Sequence, residues 1–403
     1  MNLQGENISH GKDQAYPICL IHTQAGSVPH LTNETLSYIN TELIENGIYQ
    51  VPCSGLINYE DTFKQFRYSC TEFFSLPVPS LTYLSVQDLT EPTPKGFNTC
   101  KTVAVMACAQ RIDLWPEKYM EFVEALKPDI FELLVDSDVL PTDGRKRNTK
   151  SVDRSLYCIE KCLDFYKKSD ALKNKSKIMC GVVAGSKFLE RLRFCELAYK
   201  KVHKFEKYIW GFCIHSLPQE INVSDETKNL LQMIKTELSG EKALYIPAVS
   251  HPLTVIDYMI EGVSIFDTSS ITSKSNKMQA LVYRYPDNFA KAFLSNGDQK
   301  YSLIDEAEQC DVSNFQETIN LANPQYAKVF QPILPGCTCY TCQNFTCAYI
   351  HHLTVVKEMQ CYVLLMLHNL HHHFSFFREA KHCFRSVSDL GRLRNKIVEL
   401  NKN

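Results

Sequence analysis

The chain has 403 residues, 44% hydrophobic and 22% charged, with a formal net charge of −2. That composition excludes a disordered polyelectrolyte and leaves room for one large core or two modest ones. A near-neutral balance exerts no global pull on nucleic acid, so any RNA contact must rest on local patches. No apolar run approaches the roughly 18 to 20 residues that a bilayer-crossing helix needs, and the most apolar stretch, Cys361 to Leu367, is far too short. Seventeen cysteines would suit a disulfide framework in a small secreted protein, but the opening run MNLQGENISHGKDQ has no apolar signal core. Reduced thiols and a cytoplasmic location are the expectation.

In chain order, short apolar or β-branched runs read as strands buried on both faces: Ile18 to Ile21, Thr102 to Met106, Phe131 to Val135, Ile178 to Val183, Tyr208 to Ile214, Ala243 to Pro247 and Gly262 to Phe266. Helix-like stretches lie between them. Pro116 to Leu126 carries its proline at the start and apolar residues every three or four positions. In Ser151 to Tyr166, the residues Val152, Leu156, Ile159, Cys162, Leu163 and Tyr166 share one face. Such alternation implies right-handed βαβ units on a parallel sheet, and about seven or eight of them fit a (β/α)8 barrel better than an open sheet. Neither of the Gly-rich phosphate-binding loops, G-x-G-x-x-G or G-x-x-x-x-G-K-[ST], is present, so a nucleotide cofactor has no support. Two small basic clusters stand out: Arg145, Lys146, Arg147 and Lys150 in a turn-rich stretch, and Arg392, Arg394 and Lys396 near the end. Clusters of this size are most often solvated faces.

From about Tyr285 to Phe330 the chain is polar and reads as irregular. It leads into PGCTCYTC, where Cys337, Cys339 and Cys342 form a C-x-C-x2-C knuckle. Three thiolates and one imidazole suit a tetrahedral Zn²⁺ in a closed, structural site, because a catalytic zinc keeps one position for water. His368 is a candidate fourth ligand, with Cys347, His351, His352 and the triplet His371, His372 and His373 as rivals. Ala348 to Met366 and Phe376 to Asn401 read as helices, the second broken at Asp389-Leu-Gly. The expected domains are a barrel body at 1–310 and, at 311–403, a zinc-binding subdomain whose C-terminal helices pack on the barrel.

Several segments together resemble the queuine and archaeosine tRNA-guanine transglycosylase family. CTCYTCQNFTCAYIHHL followed by HNL resembles its zinc segment, HTQAGSVPHLT its opening strand and turn, and PEKYMEFVEALKPDIFELLVDSD with SVDRSL its third βα unit and the next helix start. GVSIFD resembles the strand end that presents the catalytic carboxylate. The resemblance spans nearly the whole chain and implies a (β/α)8 barrel with an embedded zinc subdomain. It also implies one structural Zn²⁺ per chain, held by Cys337, Cys339, Cys342 and His368. Family members exchange guanine at the tRNA wobble position for a deazaguanine base. One Asp forms a covalent glycosyl intermediate and a second handles the base proton.

The resemblance also has gaps. The base-binding G-I-V-Q-G-G segment stands here as GVVAGS, with Ala184 where the family's Gln would contact the base. G-G-L-A-V-G-E stands as WGFCIHS, so bulky side chains replace glycines that admit the base. D-S-G-G-F-Q is not recognisable in SVQDLTEPTPKGFNT, where Asp88 is the nearest match to its Asp, and C-V-x-P-T-R is replaced by TSSITSKSNK. Asp267 occupies the nucleophile's place and Asp136 that of a base-contacting Asp, yet a nucleophile without its base slot cannot orient substrate. The expectation is no catalytic residue, with Asp267 and Asp88 as relics and Asp136 as a weak substrate contact.

An intact zinc segment beside a degraded pocket resembles the non-catalytic members of the family that pair with a catalytic subunit. The implied function is support of guanine-for-queuine exchange at position 34 of tRNAs with GUN anticodons, as one half of a heterodimer. The implied location includes the cytosolic face of the mitochondrial outer membrane, held peripherally. The alternatives are an active transglycosylase using Asp267 and a zinc-stapled scaffold with no tRNA role.

Overall fold

The computed structural model describes residues 17–402, apart from 40–43, 45–46, 67, 108, 140–142, 183–187, 218–220, 287–314 and 385. The described strands are β1 (Ile18–His22), β2 (Ile48–Pro52), β3 (Leu81–Ser85), β4 (Val103–Ala107), β5 (Gln110–Leu114), β6 (Ile130–Glu132), β7 (Lys177–Val182), β8 (Ile209–Ile214), β9 (Ala243–Tyr245), β10 (Ile265–Asp267), β11 (Gln279–Leu281) and β12 (Thr318–Asn320). Eight of them close into a barrel in the order β1-β10-β9-β8-β7-β6-β3-β2, every pair parallel. This is the TIM-type α/β barrel that the alternation of elements implies.

Alternate residues point inward, so Ile48, Tyr83, Ile130, Met179, Tyr245 and Ile265 fill the barrel. The other face of each strand meets helices, as where Phe131 packs 5.9 Å from Tyr166 of the helix Arg145–Lys168. Strand β8 departs from this alternation. Ile178 pairs with Ile209 but Met179 with Gly211, leaving Trp210 as an extra residue. Trp210 and Cys213 consequently both reach the interior, although their odd spacing would put them on opposite faces of a regular strand. Gly211 sits where β8 crosses close to β9: a Cβ there would lie 2.6 Å from the Ala243 carbonyl oxygen.

The helix Pro116–Leu126 forms where its pattern places it. Proline stands in its first turn, Tyr119, Phe122 and Val123 are buried, and Lys127 ends it in the left-handed region at φ 57. The next helix begins at Arg145 rather than Ser151, so the first basic cluster is helical rather than turn-rich.

Thr102 to Met106 does not supply a barrel strand. Those residues form β4, which pairs antiparallel with β5 in a separate two-stranded sheet. Only two residues link β4 to β5, far too few for a parallel crossover, so a hairpin is the only pairing open to them. The barrel places go instead to β2 and β3, whose Gln50, Pro52, Thr82 and Ser85 disguise them as less apolar. Several of those polar groups find partners: the Thr82 backbone N–H and hydroxyl donate to Asp129 at 2.9 and 2.8 Å, and Gln50 Nε2 donates to the Tyr245 hydroxyl at 3.3 Å.

The chain divides into two compact units, one of Met1–Pro29, Glu42–Val249 and Glu261–Ser269, the other of His30–Thr41, Ser250–Ile260 and Ser270–Asn403. The first holds the whole barrel. The second has its own core, in which Met278, Ile333, Cys347, Ile350, Leu364 and Leu365 are buried together. The expected 310/311 boundary lies outside the described residues. The C-terminal helices are Cys347–Val355, Gln360–Cys383 and Val387–Leu400, rather than two. Lys357, with φ at 60, interrupts the first run. Ser386 caps the last helix by accepting from the Asp389 N–H, so Asp389 opens that helix instead of breaking it. Among the described residues, no helix is long and apolar enough to cross a membrane.

Two glycines give opposite expectations. Gly211→Ala forces a Cβ into the Ala243 backbone and should cost about 1–3 kcal/mol. Gly391→Ala, inside a helix with nothing within 4 Å of the new methyl, should add about 1 kcal/mol. Urea denaturation of the two variants measures both.

Candidate functional site

The C-terminal unit brings three thiols and one imidazole together. Cys339 is the N-cap of the short helix Tyr340–Asn344, and its sulfur accepts from the Cys342 N–H at 3.3 Å, a local turn that aims both side chains at one point. The Sγ atoms of Cys337, Cys339 and Cys342 lie 3.9, 3.4 and 3.3 Å from His368 Nδ1. All four ligand atoms fall within 4.8 Å of one another. His368 is fully buried, and its Nε2 is 2.8 Å from the Leu281 carbonyl, which takes the ring proton and leaves Nδ1 facing the thiols. The next residue continues the clamp: Asn369 accepts from the Leu281 N–H and donates to Ser275 Oγ and the Gln279 carbonyl.

The rivals for the fourth position are engaged elsewhere. His351 Nδ1 is 2.9 Å from the Leu321 carbonyl, His372 Nε2 is 2.9 Å from the Tyr283 carbonyl, and His371 Nε2 is 3.3 Å from Thr338 Oγ1. Cys347 is packed in the core and His352 is exposed. Burial drives the His372 and His373 imidazoles down to about 3. In the cluster itself, burial pulls His368 down, but hydrogen bonds to Cys337 and Cys342 and their charge prevail and raise it to about 10. Hydrogen bonds from Cys339 and Cys342 hold Cys337 far below the ordinary thiol range. Four donor atoms thus meet in a space that suits one cation. An all-sulfur-and-nitrogen shell with its histidine tautomer set from behind is the chemistry of a closed structural site.

At the C-terminal mouth of the barrel, each acidic residue singled out in the sequence is committed to the fold. Asp267 is 1% exposed. Its Oδ2 accepts from the Tyr245 hydroxyl at 2.8 Å and the Ala248 N–H at 2.7 Å, while Oδ1 accepts from the Ser269 N–H at 2.7 Å. Asp136, also 1% exposed, accepts from Asn98 at 2.8 Å and is paired with Arg147 at 3.0 Å and Arg154 at 3.1 Å. Asp88 Oδ1 accepts from the Thr90 N–H and hydroxyl at 2.8 and 2.7 Å and lies 3.1 Å from His22 Nε2. Burial pulls the His22 imidazole down against the pull of Asp88 and Asp267.

The structure adds residues that sequence reasoning missed. Glu132, the last residue of β6, is buried, and its Oε1 is 2.7 Å from His215 Nε2 just past β8. Val135 and His215 press on the backbone of Gly181, where an added Cβ would lie 2.6 Å from Val135 Cγ2 and 3.4 Å from His215 Nε2. A cavity of only about 70 Å³ remains, lined by Gln50, Tyr83, Glu132, Cys213, His215 and Tyr245 among others. The available signal was a carboxylate or amide inside an otherwise apolar strand, as in IYQVP and IFE. Ala184 lies outside the described residues.

The basic clusters are also partly committed. Arg147 is bound to Asp136 and Asp138, and Arg394 to Asp257 at 2.6 Å with both side chains largely covered. Arg392 and Lys396 each make an exposed i,i+3 pair, with Asp389 and Glu399. Such pairs are worth about 0–1 kcal/mol and open cheaply to a phosphate.

Two substitutions test these assignments. Cys339→Ser should lose one metal ion relative to the unaltered chain and lower the unfolding midpoint of the second unit, because metal binding is coupled to folding; elemental analysis and calorimetry read both. Metal affinity should fall as pH falls, since the thiols must shed protons to bind. Asp267→Asn should cost about 1–3 kcal/mol in urea denaturation, because either amide orientation turns an NH2 group toward a backbone N–H.

Comparison with known proteins agrees with this geometry. The family model described as queuine tRNA-ribosyltransferase matches residues 6–399. The chain is 32% identical over 384 residues to a Gallus gallus protein named queuine tRNA-ribosyltransferase accessory subunit 2, covering 92% of this chain and 88% of that one. Proteins of the same name from Homo sapiens, 31% identical over 382 residues, and Danio rerio, 30% over 381, each cover 92% of this chain and are themselves covered to 89%. The chain belongs to the queuine tRNA-ribosyltransferase family.

Proposed function

We propose that this chain is a non-catalytic subunit that pairs with a catalytic member of its family and supports exchange of guanine for queuine at position 34 of tRNAs with GUN anticodons. The observation that carries the reading is the state of Asp267. Its carboxylate is buried and receives three hydrogen bonds from one hydroxyl and two backbone N–H groups. A nucleophile must be free to turn a lone pair toward the reacting carbon, and three fixed donors hold this carboxylate in one orientation and draw down its electron density. Supporting it, Val135 and His215 occupy the space beside Gly181, with His215 bonded to Glu132, and Asp136 is neutralised by two arginines. The names of the relatives, accessory subunit 2, agree with it.

The proposal assigns Zn²⁺ to Cys337, Cys339, Cys342 and His368 as a staple for the second unit. The same unit carries an exposed aromatic strip suited to a protein partner. Tyr38, 50% exposed, stacks on Tyr340 at 4.5 Å, Tyr340 lies 5.9 Å from Phe345, and Phe345 stacks on Tyr349 at 5.6 Å. Aromatic side chains of this kind anchor interfaces. Arg392 and Lys396 supply salt-sensitive phosphate contacts without base readout. The complex is assigned to the cytoplasm, with peripheral attachment to the mitochondrial outer membrane as a location that fractionation of tagged protein tests.

The deciding experiment measures guanine exchange into tRNA carrying G34 with this chain alone, the catalytic family member alone, and the two mixed. Activity confined to the mixture, or raised at least tenfold there, is the expected result, with Asp267→Asn in this chain leaving the mixture active wherever it remains folded. Exchange by this chain alone, abolished by Asp267→Asn, would overturn the reading and make Asp267 the nucleophile. Tyr340→Ala should weaken assembly in analytical ultracentrifugation without changing metal content.

A further inference from the structure

We propose that the barrel mouth holds a second metal site, in which Glu132, Cys213 and His215 bind a Zn²⁺ ion whose fourth position opens onto the mouth cavity. One carboxylate oxygen, one thiol and one imidazole nitrogen there lie within 4.8 Å of one another, the only such group besides the Cys3His cluster among the described residues. Glu132 is 4% exposed and Cys213 1%, while the His215 side chain is 16% exposed toward solvent. An oxygen, sulfur and nitrogen shell of three protein ligands matches zinc sites that keep one position open, unlike the closed shell of Cys337, Cys339, Cys342 and His368.

Three observations point to a ligand rather than to a simple ion pair. The β8 bulge at Trp210 shifts the alternation of the strand, and that shift turns Cys213 inward. The trio lines a cavity of about 70 Å³, several times the roughly 10–15 Å³ that a water needs. Gln50 is 1% exposed and lines the same cavity, and its Oε1 is buried without a hydrogen-bond partner. A water on the metal would donate to that oxygen and remove the cost of leaving it unpaired. Glu132 is steadied from behind by the Val86 N–H at 3.3 Å and the Tyr83 hydroxyl at 3.4 Å, both on Oε2, which leaves Oε1 for the ion.

Binding balances simply. The Cys213 thiol loses its proton to solvent, the His215 proton moves from Nε2 to Nδ1, and the metal replaces the direct Glu132–His215 hydrogen bond. Because the thiol must shed its proton to bind the ion, affinity should rise with pH. The site does not depend on the partner reading, because it is measured on the isolated chain.

The test is metal content and position. The metal-free full-length chain is dialysed against buffered micromolar Zn²⁺ and analysed by elemental mass spectrometry, with Co²⁺ as a spectroscopic probe. Two ions per chain are expected in the unaltered protein, and one in His215→Ala and Glu132→Gln, both checked for folding by circular dichroism. A single ion per chain at saturation overturns the proposal, as does an unchanged count of two in folded His215→Ala. Where a variant fails to fold, anomalous scattering at the zinc edge from crystals of the unaltered chain decides. A peak among Glu132, Cys213 and His215 supports the site, and a lone peak at Cys337, Cys339, Cys342 and His368 overturns it.

Discussion

Closure of the barrel between β1 and β10 is the constraint on which the mouth depends. It joins residues about 250 positions apart, aligning Leu20 with Asp267 in parallel register, and is sealed by the Thr268 N–H on the Leu20 carbonyl and the His22 N–H on Thr268 Oγ1. Ordering so long a stretch costs chain entropy, and the interior packing of Ile48, Tyr83, Met179, Tyr245 and their neighbours offsets it. Because every barrel strand is parallel, closure gathers all the C-terminal ends on one face. His22, Gln50, Glu132 and Asp267, far apart in sequence, meet there for that reason alone.

What happens to charge in such a place follows from desolvation. A buried carboxylate must be paired or hydrogen-bonded, and each acid at this mouth has found partners within the fold. Asp267 uses a hydroxyl and two backbone N–H groups, Asp136 two guanidinium groups, Glu132 an imidazole. The network from Gln50 through Tyr245 to Asp267 ties β2, β9 and β10 together across the barrel. The Asp267 carboxylate braces the end of β10 against β9 and the turn that follows it.

The C-terminal unit is organised on a different principle. Its knuckle is local, since Cys339 caps its own helix and receives the Cys342 N–H. Its closure is not, because His368 reaches the thiols from another helix while its rear nitrogen and the neighbouring Asn369 hold the β11 backbone at Leu281. The geometry of the Cys3His cluster and the position of β11 are therefore coupled, so a change at His368 is felt in the two-stranded sheet of β11 and β12 as well as in the knuckle.

Local pattern was enough for much of this protein. Alternating apolar strands and amphipathic helices announced a barrel, and C-x-C-x2-C announced a thiol knot, because both signals live within a few residues of chain. Where the reading failed, the competing effect was long-range. Thr102 to Met106 looked more like a barrel strand than Ile48–Pro52 or Leu81–Ser85, yet its two-residue link to β5 made it a hairpin, while Gln50 and Thr82 found partners on distant strands. No spacing could choose His368 over His351 or His372, since that choice rests on which imidazole points at the knuckle and which at a carbonyl. Sequence alone determined most of the elements and the clustering of Cys337, Cys339 and Cys342, through local periodicity and spacing. Only the tertiary structure decided that His368 joins the thiols, that the Tyr245 hydroxyl binds Asp267 and that Glu132 meets His215, because each contact is made by side chains that barrel closure and helix packing bring together across more than twenty residues of chain.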